Sequence, residues 1–239
     1  MENETIMKNQ IGEYFKNNGI PLNERQIEQF YNYYLMLVEW NEKFNLTAIT
    51  NFNDVLIKHF FDSAVCFKEV EENASVIDIG CGAGFPSIPL KILRPNLSLT
   101  LVDSVNKKIT FINALIAKLG LKNVKAIHSR AEDLAFNSQY RQKYNYVVSR
   151  AVANLSTLCE YCLPFVSTGG KFLAYKSTGV EEEVLNAKNA IIKLGGQLKT
   201  IKDFSVEDYC RKLIIITKVT TTPNNYPRSN NKPRTAPLQ

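Results

Sequence analysis

From residue 74 onward, short runs of apolar and β-branched residues alternate with stretches whose apolar positions recur every three or four residues. The runs predict strands at Ser75–Ile79, Leu97–Val102, Val124–His128, Tyr146–Ser149, Lys171–Tyr175, Gln197–Phe204 and Lys212–Lys218. The periodic stretches predict helices at Ser87–Leu93, Asn106–Leu119, Leu155–Leu163 and Val180–Leu194. Short, continuously apolar strands suit a parallel sheet buried on both faces. Their alternation with helices predicts a doubly wound α/β fold. Only Ser205–Arg211 separates the last two strands, too little for a crossover helix, so the sheet should end in an antiparallel hairpin. Residues 1–70 read as helical instead. Asn23 with Gln26 forms a capping box, and Phe30, Tyr33, Tyr34, Leu37 and Val38 follow at helical spacing into Trp40. A second helix is expected over 53–67, with Asn53 or Asp54 near its start.

Composition changes this picture little. The 239 residues suffice for one well-buried core, and 45% apolar with 22% charged residues is an ordinary globular profile. No apolar run is long enough to span a bilayer, and the first residues lack the pattern of a signal peptide, so a cytoplasmic protein is expected. The five cysteines do not read as a disulfide framework; Cys159 and Cys162 are expected as buried thiols on a helix. A net charge of +6 permits a polyanionic partner without demanding one. Three zones result: a helical extension at 1–70, the α/β unit at 71–218, and a basic segment at 219–239 carrying Arg228, Lys232 and Arg234 but no acid. That segment can touch phosphates, although its Pro/Asn-rich composition favours a solvated, disordered end.

The candidate chemistry gathers at the carboxyl ends of the strands, where doubly wound sheets bind ligands. Asp78-Ile79-Gly80-Cys81-Gly82-Ala83-Gly84-Phe85-Pro86 joins the first strand to a helix starting near Pro86. A dinucleotide fingerprint would need glycine at position 85, where Phe85 stands. The spacing resembles instead the loop that binds S-adenosylmethionine (AdoMet), with Gly80 and Gly82 as cofactor contacts. Asp103, about 20 residues beyond, is placed to accept from ribose hydroxyls; taken alone it would read as a helix cap. After the third strand, Ala131 leaves room for a flat ring and Glu132 or Asp133 can take an exocyclic amine; a helix-starting acidic cluster is an equal reading. After the fourth, Arg150 can hold a substrate, a phosphate or the cofactor carboxylate, or form a surface ion pair.

Several segments carry a more specific resemblance. They are 40–49 (with Asn45-Leu46-Thr47), Lys58-His59-Phe60-Phe61-Asp62-Ser63, the loop 78–86, Asp103-Ser104, Ser129-Arg130-Ala131-Glu132, Ser149-Arg150-Ala151-Val152-Ala153, 169–176, Tyr226-Pro227-Arg228 and Pro237-Leu238. Through them the whole chain resembles the bacterial 16S rRNA methyltransferases that modify N7 of guanine 527, also called glucose-inhibited division protein B. The resemblance implies a Rossmann-like class I AdoMet-dependent fold and AdoMet contacts at Gly80, Phe85, Ala131, Glu132 and Arg150. Ser87 and Ser177 depart from it, standing where the family often has glycine.

The implied substrate is 16S rRNA or the small ribosomal subunit, with neither membrane nor metal involved and a monomer expected. Guanine N7 bears a lone pair and no proton, so no catalytic acid or base is nominated. The Asn/Asp-Pro-Pro-aromatic signature of exocyclic-amine methyltransferases is missing, as is a Pro-Cys at the fourth strand. His59 and Asp62, at i and i+3, and Arg150 and Lys176, at strand ends, are candidate RNA contacts; Phe44, Phe60 and Tyr175 are candidate stacking partners with core packing as the alternative. Competing readings are a methyltransferase acting on a small molecule or protein, and a non-catalytic AdoMet- or RNA-binding module.

Overall fold

Asn23 starts the long helix α2 (Glu24–Phe44) through the expected capping box: its side chain accepts the Gln26 N–H at 2.9 Å, while Gln26 Oε1 accepts the Asn23 N–H at 3.0 Å. The computed structural model describes residues 2–150, 153–207 and 209–238, so Ala151 and Val152 of the Ser149–Ala153 motif lie outside it. Helix α1 (Glu2–Asn17) packs on α2, and an aromatic chain runs from Phe15 to Phe30 to Phe60 with centroids 5.0 Å apart at each step. The helix expected over 53–67 is capped earlier and is not regular. Asn51 accepts from the N–H groups of Asn53 and Asp54, opening α3 (Phe52–Val55). The backbone then widens into a π-helical stretch, Leu56–Phe61, before α4 (Asp62–Ala64). Such widening recurs at functional sites, and this stretch carries His59.

The α/β unit follows in chain order as β1 (Ser75–Ile79), α5 (Ser87–Leu93), β2 (Ser98–Asp103), α6 (Asn106–Leu119), β3 (Val124–His128), the one-turn α7 (Ala131–Leu134), β4 (Tyr144–Arg150), α8 (Leu155–Cys162), β5 (Val166–Lys176), α9 (Glu181–Lys193), β6 (Gly196–Val206) and β7 (Tyr209–Lys218). The sheet order is β3-β2-β1-β4-β5-β7-β6. Pairs among the first five strands are parallel, and β7 runs antiparallel to both β5 and β6, as the short link between the last strands requires. Strand order reverses between β1 and β4, which opens the ligand crevice there.

β5 begins at Val166, five residues before its predicted start, because Gly169-Gly170 does not break it. A Cβ on Gly170 would lie 2.7 Å from the Asn145 carbonyl oxygen, so glycine permits close strand packing. One apolar cluster fills the face under α1, α2, α5 and α6; a second fills the face under α8 and α9, where Cys159 and Cys162 are buried.

The segment after β7 is docked, contrary to the solvated end its composition suggests. The half-buried Arg141 catches its backbone carbonyls, and the buried Lys218 holds its Thr222 hydroxyl. Arg141 donates to Thr222, Pro223 and Tyr226, and Lys218 Nζ donates to Leu163 and Leu194 beside Thr222. Arg228 forks onto the fully buried Glu160 carboxylate, with Nη2–Oε2 at 2.8 Å. Thr157 Oγ1 donates to Pro233 O at 2.7 Å, seating α10 (Lys232–Thr235) on α8. Polar capture of main chain leaves no signature in hydrophobic pattern.

Candidate functional site

Gly80 and Gly82 hold φ of 75° and 57°, left-handed conformations that turn the loop back over β2. The N–H groups of Gly80 and Cys81 donate to Val102 O at 2.9 and 3.1 Å, and the Gly82 N–H donates to Asp103 Oδ2 at 2.9 Å. The Asp103 carboxylate also accepts from the Val105 N–H at 2.9 Å and faces Lys108 Nζ at 3.5 Å. It therefore closes a turn just before α6 and ties the glycine loop to β2. These residues floor a cavity of about 590 Å³. Its far side is the third loop, where Ala131 and the buried Glu132 begin α7, and where Arg130 Nη1 meets Glu132 Oε1 at 3.3 Å. The helix-starting reading of that cluster is therefore correct as geometry, and the same residues line the cavity.

The residues present fit AdoMet. A Cβ on Gly82 would meet nothing within 4 Å, so the glycine leaves open space on the cavity wall. Asp103 supplies a buried acceptor where a vicinal diol would need one. Beneath the loop, both Asp78 carboxylate oxygens are buried without a hydrogen-bond partner, and burial pushes the Asp78 pKa up to about 7.

Of the residues expected at the cofactor, Gly80, Gly82, Asp103, Ala131, Glu132 and Arg150 line this cavity. Phe85 does not. Its ring is stacked between Tyr33, at 5.2 Å and 15°, and His59, at 4.5 Å and 25°. The Arg150 guanidinium lies 4.9 Å from its centroid. Gly84 makes that stack possible, since a Cβ there would lie 2.8 Å from both Ile88 Cγ1 and the Tyr33 hydroxyl, which itself donates to Ala83 O.

A second cavity of about 540 Å³ adjoins, and Arg150 lines both. His59, Asp62 and Lys176, expected as RNA contacts, all open onto it. Arg150 Nη1 donates to Asp62 Oδ2 at 2.9 Å, and Arg211 Nε donates to Asp62 Oδ1 at 3.0 Å. Arg150 thus forms an ion pair, though a largely buried one that ties β4 to the helical extension. His59 Nε2 lies 2.8 Å from Thr47 Oγ1, which gives the Asn45-Leu46-Thr47 segment its role as the imidazole's positioning arm. Burial, reinforced by the Arg150 cation, lowers the His59 pKa to about 4, so the ring is neutral near pH 7. Lys176 Nζ donates to Ala153 O at 2.6 Å and pairs with Glu183 at 2.5 Å.

Phe60 is fully buried in the core and Phe44 packs against Trp40, whereas Tyr175, whose hydroxyl donates to Ser63 O, also lines the second cavity. Sequence reasoning missed Arg211, Glu183, Tyr161 and Asn231, which line one cavity or the other, and read Arg234, which lines the first, only as part of a basic end segment. Arg211 meets Asp62 across 149 positions, and no local pattern announces such a pairing.

The model of the family described as rRNA small subunit methyltransferase G matches residues 26–214. A protein of that name from Alkaliphilus metalliredigens is 42% identical over all of both chains, and one from Lysinibacillus sphaericus is 47% identical over 96% of this chain and 98% of its own. Among solved structures, a SAM-dependent methyltransferase from Aquifex aeolicus aligns at TM-score 0.52 and 17% identity, over 68% of this chain and 92% of that one. M. jannaschii TYW2, solved in complex with AdoMet, aligns at TM-score 0.56 and 15% identity, over 67% and 76%. At such identities these two speak for the fold, whereas the full-length relatives speak for the family. The chain therefore belongs to the rRNA small subunit methyltransferase G family of AdoMet-dependent methyltransferases.

Proposed function

We propose that the protein methylates N7 of a guanine, position 527, in 16S rRNA, with AdoMet in the first cavity and the base entering from the second. The state of the acid–base groups around the second cavity carries this reading. His59 is held neutral with a pKa near 4 and is already hydrogen-bonded. Asp62 is engaged by two arginines and Glu183 by Lys176. None of the three is poised to remove a proton, and N7 of guanine has none to lose. A reaction at an exocyclic amine would need an acceptor that these groups do not offer.

AdoMet supplies an electrophilic methyl on its sulfonium. The chain's part is orientation and exclusion of water. Gly80 and Gly82 would bring backbone to the cofactor, Asp103 would accept from its ribose, and Ala131 with Glu132 would border the adenine. Arg150, braced by Asp62 and the Phe85 ring, stands where the cavities meet and would hold the incoming nucleotide. Lys58 and Arg211 also line the second cavity and give it cationic character suited to phosphates.

Methyl transfer from labelled AdoMet to small subunits from a strain lacking the activity, with the modified base mapped, tests the proposal. A 7-methylguanine at position 527 is expected. AdoMet binding without transfer to subunits or free rRNA would overturn the substrate reading and leave a small-molecule or protein substrate.

A further inference from the structure

Docking of the segment after β7 places Asn231 and Arg234 on the wall of the first cavity. They sit on the third-loop side. Tyr161 of α8 lines the same wall, and both α10 and the third-loop helix α7 pack on α8. Arg150 stands at the opposite end, where the second cavity opens, and Asp103 lies at the strand end between them. Arg234 is exposed and, among the described residues, forms no ion pair. Its position is nevertheless fixed, because Thr157 holds Pro233 and the Glu160–Arg228 fork holds the approach to α10.

We propose that residues 229–238 form a further wall of the AdoMet site, in which Arg234, assisted by Asn231, binds the adenosine half of the cofactor. The proposal rests on the reading of the first cavity as the AdoMet site. A guanidinium offers a flat cation for the purine face and several donors for ring nitrogens or ribose oxygens. An asparagine amide offers a donor and an acceptor at the same rim. The docked segment thus does for the adenosine end what the glycine loop does for the other end.

The test is calorimetric titration of AdoMet and of S-adenosylhomocysteine into the full chain and into Arg234→Ala and Lys232→Ala variants. Both ligands share the adenosine half. Lys232 is a neighbouring exposed cation that does not line the cavity. For Arg234→Ala, both Kd values should rise about tenfold, or about 1.4 kcal/mol. Lys232→Ala should stay within about twofold, and the ligand-free melting temperature of Arg234→Ala should not move. Equal Kd values for the full chain and Arg234→Ala would overturn the proposal, as would an equal loss for Lys232→Ala. A raised KM for ribosomal subunits with unchanged cofactor Kd would assign Arg234 to RNA phosphates instead and likewise overturn it. Failure of the unaltered chain to bind AdoMet would sink the reading of the cavity itself, an outcome distinct from the other three.

Discussion

Replacing Asp62 by asparagine keeps the shape of the side chain and removes the one carboxylate between two arginines. The Asp62 side chain is 3% exposed, against 16% for Arg150 and 29% for Arg211. Breaking a buried ion pair by deleting one partner costs about 3–5 kcal/mol. Here both cations keep some water, and the amide oxygen can still accept one hydrogen bond, so about 2–3 kcal/mol is expected. With an m-value of about 3 kcal/mol/M for a chain of this size, the urea midpoint should fall by about 1 M. Unfolding followed by both far-ultraviolet circular dichroism and tryptophan fluorescence would check that one transition is being read. A double-mutant cycle with Arg211→Ala isolates the pairwise part, which should couple by about 1–2 kcal/mol. A midpoint shift below about 0.2 M would mean that the pair is screened like a surface bridge. It would refute the argument that Asp62 braces Arg150.

Three further outcomes follow from the same geometry. His59 stays neutral when folded but gains a proton when unfolded below pH 6.5; stability should therefore fall as pH drops from 6.5 to about 4, by up to about 3 kcal/mol, and His59→Gln should flatten this slope in a difference curve. Asp78 has the opposite sign. Its raised pKa means that stability is lost as pH rises from about 4 to 7, so Asp78→Asn should stabilise the cofactor-free protein near pH 8 by a few kcal/mol at most and do little near pH 4; no gain near pH 8 would refute the cost assigned to the buried charge. Gly82→Val should cost about 1–2 kcal/mol for the left-handed backbone and raise the AdoMet Kd well beyond tenfold, since its side chain would stand in the open cavity; an unchanged Kd would remove the glycine loop from the cofactor site.

What could be read from the sequence was local. Helix boundaries at Ser87–Leu93 and Asn106–Leu119 and the strands Ser75–Ile79 and Val124–His128 match the structure; buried faces set the apolar pattern of the first three, whereas β3 is an edge strand without a buried residue. The terminal hairpin followed from one length argument. The strand expected from Lys171 reaches back to Val166 because Gly170 serves close strand packing, which apolar patterning does not record. The resemblance, not the loop's spacing, implies a cofactor contact at Phe85, and no local pattern reveals that its ring stacks with Tyr33 and His59 beside the first cavity. The Asp62–Arg150–Arg211 cluster joins three distant segments through charge, and the docked segment is held by single side chains gripping carbonyls. Neither kind of contact repeats along the chain, so neither leaves a period to detect.

Asn231 and Arg234 are translated after every other residue that lines the first cavity. The interior strand β7 ends at Lys218, 13 residues before Asn231, so the sheet and this last wall are completed by the same final stretch of chain. The cleft gains its last wall only when the segment lies back over α8. On the proposal above, a chain whose sheet has formed but whose last segment is undocked lacks one wall of the cofactor site, and the Glu160–Arg228 fork is one of the contacts that seat that wall.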